Sequence, residues 1–494
     1  MPVLALGGKR RVFFTHLTLL KYQEVKTRGS YFELIDQTYY FPQEGFDLEN
    51  GNLFFNNISL RYIISKYGTP VKITYLPKIG DQIKRARNLF SKAIRSNGYR
   101  GEYKYCYCTK SCHFSFVVKE ALRYGVQLET SSAYDIDIVR ELYNEGAITN
   151  DIIIINNGYK SDLYLQKIKG LVDMGFSNCI TVLDSMDELD RLTAVMGGKH
   201  VNIGIRMAID EEPQAAYYTS RLGIRPSEII NFYNTKIKDN PSVSLTLFHF
   251  FVDSGIKDTL YFWGVYQKAI SLYAELKKQC ESLHIIDLGG GLPIRSNLAF
   301  DYDYKYMVNE LVRSLKEVCQ NEDIDDPDIV TEFGKYTVGE TGAVIFKIVE
   351  AKRQNDTELW YLIDNSLMTT IPDSWGIAEK FILLPINKWD KPYQRVNIGG
   401  ITCDHADYYN TEDLNQQVFM PCVEQGDPEP LYIGFFHTGA YQDSISGYGG
   451  IKHCLIPSPK HVVIDRDENG QIVDYLFNDE QKPEDMLRIL GYNK

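Results

Sequence analysis

From about residue 70 the chain alternates short β-branched or aromatic runs with amphipathic helical stretches, and it keeps this up for about 260 residues. Few folds accept such a repeat. The first strand-type run is YKYCYCTKS, Tyr103–Ser111, which leads into Lys110. Further runs follow at Val126–Thr130, Ile152–Ile155, Cys179–Leu183, Val201–Arg206, Ser244–Phe248, His284–Asp287 and Ile329–Glu332. Between them lie helical faces. Asp81–Arg95 puts Ile83, Ala86, Leu89, Phe90, Ala93 and Ile94 on one side, and Tyr304–Cys319 precedes the last strand. Ser185 with Glu188 reads as a capping box, and Pro226 stands where a first helical residue would. Eight such units have the size of an α/β (β/α)8 TIM-type barrel, here placed over residues 69–340. A doubly wound open sheet would alternate too, but no GxGxxG fingerprint follows the first strand.

After residue 340 the alternation stops. Ala343–Val349, Leu359–Ile363, Arg395–Ile398, Leu431–Phe435 and His461–Ile464 are strands separated by Gly, Pro, Asn and Asp. Residues 341–494 therefore read as a second, mainly β domain. Residues 31–68 read as a segment packing with it, and 1–30 as an N-terminal extension. The KRR of that extension precedes an apolar stretch broken by Thr15, His16 and Thr18, which argues against a signal peptide.

Charge decides what the chain does not bind. With 53 basic and 65 acidic residues the net is −12, without a basic patch, so nucleic acid is not an expected partner, nor is a membrane. Nine cysteines, several inside apolar runs, fit a reducing, cytoplasmic setting. Cys106, Cys108 and Cys112 lack the paired spacing of a zinc site, and no metal is expected.

Several residues carry possible chemistry, each with a plainer alternative. Lys110 closes a strand at the barrel mouth; it can snorkel to water or sit desolvated as a reactive amine. Gly289, Gly290 and Gly291 let backbone N–H groups approach a phosphate, or simply make a tight turn. Glu332 can hold a heterocyclic nitrogen protonated, or form a rim salt bridge. Ser254 can donate to a phosphate, or cap the next helix. Arg206 and Glu129 end strands and could pair with each other. Cys403 by itself reads as a small buried hydrophobe, and Asp404 as a turn residue.

In this order the segments YCYCTKSCHF, LETSSAYDI, INNGYKSD, SRLGI, IIDLGGGLP, TEFGKYTVGE, GGITCDHADYY and GFFHTGAYQ resemble those of fold-type III pyridoxal-phosphate decarboxylases. These are the alanine-racemase-like and ornithine-decarboxylase-like enzymes. The resemblance spans about residues 35–465 and is nearest to the biosynthetic arginine decarboxylases. It implies pyridoxal 5'-phosphate as cofactor and a homodimer with shared active sites. The reaction implied is decarboxylation of a basic L-amino acid, arginine to agmatine and CO₂ in polyamine biosynthesis. Ornithine, lysine, diaminopimelate or carboxynorspermidine are alternative substrates, and a silent regulatory paralogue is an alternative role.

The resemblance makes Lys110 the cofactor-bearing lysine and Glu332 the acid facing the pyridine nitrogen. Gly289, Gly290, Gly291, Ser254, Gly334, Lys335 and Tyr441 fall at phosphate-side positions, and Arg206 and Glu129 line the cofactor. Cys403, as proton donor, and Asp404, as receptor of the substrate's distal cation, come from the second subunit. Two positions depart from the family pattern. The usual ring-stacking His aligns with Phe251 in FHFFVDSG, with His249 two residues earlier. The usual Arg of the EPGR-type segment is Lys335, which keeps the charge but loses the two-pronged grip on phosphate.

Overall fold

The computed structural model describes residues 41–210, 218–409, 418–424 and 426–492, so the expected extension over 1–30 lies outside the described residues. The described chain opens with a small antiparallel sheet: β1 (Phe46–Glu49), β2 (Asn52–Phe55) and β3 (Ile58–Ser59). Next comes β4 (Val71–Tyr75).

Eight parallel strands then close into a barrel. They are β5 (Tyr103–Cys108), β6 (Gln127–Thr130), β7 (Ile154–Asn156), β8 (Cys179–Leu183), β9 (Val201–Arg206), β10 (Val243–His249), β11 (Ile285–Asp287) and β12 (Asp328–Glu332). Chain order is spatial order, and closure comes from Ile329 pairing with Tyr103. Alternation within β5 shows why these runs become barrel strands. Tyr105 and Tyr107 join the outer core under the helices, while Cys106 joins a small inner cluster with Ile155, Ile180, Val182, Leu247, Ile285 and Val330. The helix Pro77–Ser96 covers the outside with Ile79, Ile83, Ala86, Phe90 and Ala93, at the 3–4 spacing of one helical stripe. Pro77 fits its first turn, and Phe90 stacks on Tyr103 at 4.0 Å between ring centroids. Truncating Phe90 to Ala there costs about 3–5 kcal/mol.

The remaining strands form a mainly β unit: β13 (Gly342–Arg353), β14 (Leu359–Ile363), β15 (Ile382–Pro385), β16 (Tyr393–Gly399), β17 (Val418–Pro421), β18 (Tyr432–Phe436), β19 (Lys460–Arg466) and β20 (Ile472–Asn478). The sheet order is β17-β16-β14-β13-β4-β19-β20, with β18 also on β13 and β15 on β18. β4 therefore sits in this sheet, antiparallel to β13 and parallel to β19, although its sequence position lies within 69–340. A closed barrel offers no edge to receive it, and all five of its residues are buried. Leu53, Phe55, Leu60 and Ile63 share an apolar cluster with Ile73, Ile345, Leu384, Phe436 and Ile464 of the sheet.

Two local expectations change. The helix Asp187–Met196 has Met186 at its N-cap and no side-chain cap, so Ser185 and Glu188 do not form a capping box. Glu188 instead accepts from the N–H groups of Asp184 and Lys160. Ser254 does not cap the next helix either; Thr259 does, accepting from the Phe262 N–H. Among the described residues no helix is long and apolar enough to cross a membrane.

Candidate active site

The inner cluster of the barrel is apolar, and the layer above it is not. Side chains two residues apart on a strand share a face, so the last inner residue of most strands is followed, one step nearer the carboxyl end, by a polar or sulfur-bearing one. Cys106 is followed by Cys108, Ile155 by Asn157, Val182 by Asp184, Leu247 by His249, Ile285 by Asp287 and Val330 by Glu332. Gly204, whose Cβ would meet Leu247 and Val182, is followed by Arg206. Glu129 joins them from β6, fully buried.

Lys110 stands just past β5 on a short turn, Thr109–Ser111. Its Nζ donates to both carboxylate oxygens of Glu129 at 2.9 Å. Burial pulls the ammonium down, but Glu129, with Cys108 and Glu332, outweighs it and holds the pKa well above the ordinary lysine value. Lys110 is thus not the depressed-pKa amine that desolvation alone would make. Its side chain keeps 41% of its surface exposed. Lys160, by contrast, has none open; it donates to the Val182 carbonyl and faces Glu188 at 3.5 Å. Only the first of these lysines can be reached by a ligand without unfolding the wall around it.

Glu129 also accepts from Ser131 Oγ at 2.7 Å and from Asn157 Nδ2 at 3.2 Å. Asn157 Nδ2 donates in addition to Glu332 Oε1 at 2.5 Å. Burial, then Glu129, pushes the Glu332 carboxyl up against the pull of Lys110. Asp287 is raised well above the carboxylate range by burial and by Glu332 beside it. His249 lies 3.8 Å from Glu332, yet burial and the cations Arg206, Lys110 and Lys160 hold its pKa well below the usual histidine value. Donor atoms of His249, Asp287 and Glu332 fall within 4.8 Å of one another. Sequence reasoning missed Asn157 and Asp287 and set His249 aside; the signal was their spacing of two from an inward apolar residue.

The glycine run bends tightly against its neighbours. Gly289 has φ +66 and Gly291 φ +100, and a Cβ on Gly290 would lie 2.7 Å from the Glu332 carbonyl oxygen. Phe251 lies over Gly289, with the Arg206 guanidinium 5.9 Å from its ring centre. His249 faces the Glu332 carboxylate, while the Phe251 ring lies against Gly289 and Gly290. Ser254, Gly291 and Lys335 line one cleft of about 450 Å³ together with Lys257, Arg295 and Lys380. Lys335 Nζ donates to Glu379 there at 2.6 Å. Gly334 fits closely against Ser111 and Cys108, and the Tyr441 N–H donates to the Ser111 carbonyl at 2.8 Å. Among the described residues Arg206 and Glu129 do not pair with each other, the plainer alternative; Glu129 holds Lys110.

Cys403 and Asp404 stand apart. Both are exposed, so Cys403 is no buried hydrophobe. Cys403 Sγ lies 3.7 Å from Cys454 Sγ, and Asp404 Oδ2 lies 3.7 Å from His453 Nε2. Neither touches the barrel-mouth cluster.

Barrel, sheet and site together define a fold-type III pyridoxal-phosphate-dependent enzyme. More particularly, the chain belongs to the family described as "Pyridoxal-dependent decarboxylase, pyridoxal binding domain", whose model matches residues 80–339. It is similar to the biosynthetic arginine decarboxylase of Prochlorococcus marinus, with 22% identity over 86% of this chain and 83% of that one. Arginine decarboxylase 2 of Arabidopsis thaliana is likewise 22% identical, over 86% of this chain and 74% of that protein. The crystal structure of the biosynthetic arginine decarboxylase from Campylobacter jejuni superposes with a TM-score of 0.76 at 21% identity, covering 93% and 90% of the two chains. Diaminopimelate decarboxylase from M. jannaschii gives 0.73 at 16%, covering 90% and 97%.

The family's cofactor is pyridoxal 5'-phosphate, and the barrel mouth fits it. A reachable primary amine, a buried acid and a close-turning glycine run meet there. Asp287 Oδ2, both His249 ring nitrogens and Asn157 Oδ1 are buried with no hydrogen-bond partner among the described residues. That much unspent hydrogen-bonding capacity in one place suits a polar ligand.

Proposed function

We propose that the chain decarboxylates L-arginine to agmatine and CO₂, acting in polyamine biosynthesis as a homodimer whose sites are shared between subunits. The observation that carries the chemistry is the meeting of Lys110, Glu129 and Glu332 at the carboxyl end of the barrel. Lys110 would hold the cofactor. Glu332 would hold the ring nitrogen's proton, and His249 would face the ring as a neutral imidazole. The N–H groups of Gly289–Gly291, with Ser254, Gly334, Lys335 and Tyr441, would take the phosphate. Bound pyridoxal phosphate supplies the electron sink that lets the bond from Cα to the carboxylate break. Arg206 and Glu129 would flank the reacting atoms and keep the pocket's charge balanced.

The exposed pair Cys403 and Asp404 supports the dimer, because neither residue serves its own barrel. From a second subunit, Cys403 would return a proton to Cα. Asp404 would receive the guanidinium, whose planar fork suits a carboxylate. The test is CO₂ release across arginine, ornithine, lysine, diaminopimelate and carboxynorspermidine. A kcat/KM for arginine at least about tenfold above the others supports the reading; a preference for another substrate overturns its arginine part.

One observation favours a catalytically silent regulator: Lys335, which would take the phosphate, is engaged by Glu379. Absorbance separates the two readings. A purified protein that is yellow, is bleached by borohydride and carries the label on Lys110 is the enzyme; a colourless one is the regulator.

A further inference from the structure

Of the nine cysteines, seven are buried and two, Cys403 and Cys454, are exposed. Those two meet although 51 residues separate them. His453 joins them: one donor atom from each of Cys403, His453 and Cys454 falls within 4.8 Å of the others. Two thiolates bound to a tetrahedral zinc at about 2.3 Å stand about 3.8 Å apart by simple geometry. The two sulfurs here are 3.7 Å apart. Asp404 borders the group, with Oδ2 3.7 Å from His453 Nε2. Its other oxygen accepts from the Ala406 N–H at 2.8 Å, which fixes the carboxylate's orientation and leaves Oδ2 toward the histidine.

We propose that Cys403, His453 and Cys454, with Asp404 as the neighbouring carboxylate, form a binding site for a thiophilic divalent cation of the zinc type. Soft sulfur donors with one imidazole select such an ion over magnesium or calcium. Binding converts both thiols to thiolates and releases two protons to solvent, with no change of oxidation state. The consequence for turnover rests on the proposed function: the cation would occupy the proton donor and crowd the guanidinium receptor at once, so metal loading would switch the enzyme off.

The experiment uses the cofactor-loaded protein, reduced and freed of metal, titrated with cobalt(II) and then with zinc. The expected result is one cobalt per chain, with a thiolate-to-cobalt charge-transfer band and tetrahedral visible bands that zinc displaces. Cys454→Ser and His453→Ala should each weaken binding at least the roughly 10-fold that loss of even a supporting partner costs. Zinc should inhibit the parent reversibly, relieved by chelator, and inhibit Cys454→Ser at least roughly 10-fold less well. The absence of the charge-transfer band, or a cobalt affinity unchanged in Cys454→Ser, overturns the site. The bands are read without turnover, so their loss leaves the decarboxylase reading standing, and an inactive protein that still binds cobalt this way sinks only the latter.

Discussion

Asn157 donates one amide hydrogen to Glu332 at 2.5 Å, joining the carboxyl ends of β7 and β12, which are separated by two other strands around the barrel. The same nitrogen reaches Glu129 at 3.2 Å. One neutral side chain thus stands between two buried carboxylates that would otherwise repel each other directly.

Replacing Asn157 by Leu removes the donor that favours ionised Glu332. Burial and Glu129 already raise that carboxyl, so it should rise further. More of it is then protonated at a given pH, and the acidic limb of kcat/KM should move to higher pH. Asn157→Gln should restore part of the parent profile. A profile identical to the parent in Asn157→Leu would refute the link.

His249 and Phe251 can be told apart by substitution. His249 borders Glu332, whereas Phe251 covers the glycine run. His249→Ala should lower kcat with modest loss of cofactor. Phe251→Ala should mainly weaken cofactor retention, measured by absorbance after gel filtration. Because His249 stays neutral well below the usual histidine pKa, no limb of the pH profile between 6 and 8, the range in which unperturbed histidine titrates, should vanish in His249→Ala.

Gly290→Ala tests the cradle. Its Cβ would lie 2.7 Å from the Glu332 carbonyl oxygen, a backbone atom with nowhere to go. The strand end carrying Glu332 must shift, at a cost of about 1–3 kcal/mol. Denaturant unfolding should show that loss, together with weaker cofactor binding. Parent-like stability and affinity would show that the backbone gives more readily than its packing indicates.

Lys452 gives a stability signature independent of the active site. It is buried, donates to the Thr369 carbonyl at 3.1 Å, and desolvation lowers its pKa to about 8. Below that pH the ammonium is charged in both folded and unfolded chains, and its burial cost is present in full. Between about 8 and the ordinary lysine value the unfolded chain binds the extra proton. Stability should therefore rise with pH through that window, by up to roughly 3 kcal/mol from this group. Lys452→Met should lessen the rise, leaving the part due to Lys72, which burial also lowers to about 8, and should be more stable than the parent near neutral pH. Urea unfolding of both proteins across the window measures it.

The sequence alone carried the repeating strand–helix alternation, the change at residue 340, and the isolated lysine, glycines and acid at strand ends. These are local properties: hydrophobic periods of two and 3.6 and turn-forming glycines can be read within a dozen residues. They place Lys110, Glu332 and Gly289–Gly291 at one end of a barrel, since parallel strands all present their carboxyl ends together. Closure decided the rest. It brought Asn157 to Glu332 and His249 to Asp287, raised carboxyl groups by removing water, and gave Lys110 the partner that reversed its expected shift. It also left β4 without a place in the barrel, so the strand joined β13 and β19 instead. Cys403 and Cys454 meet for the same kind of reason. Contacts between distant residues depend on how the sheet folds back on itself, and no local period in the chain records that path.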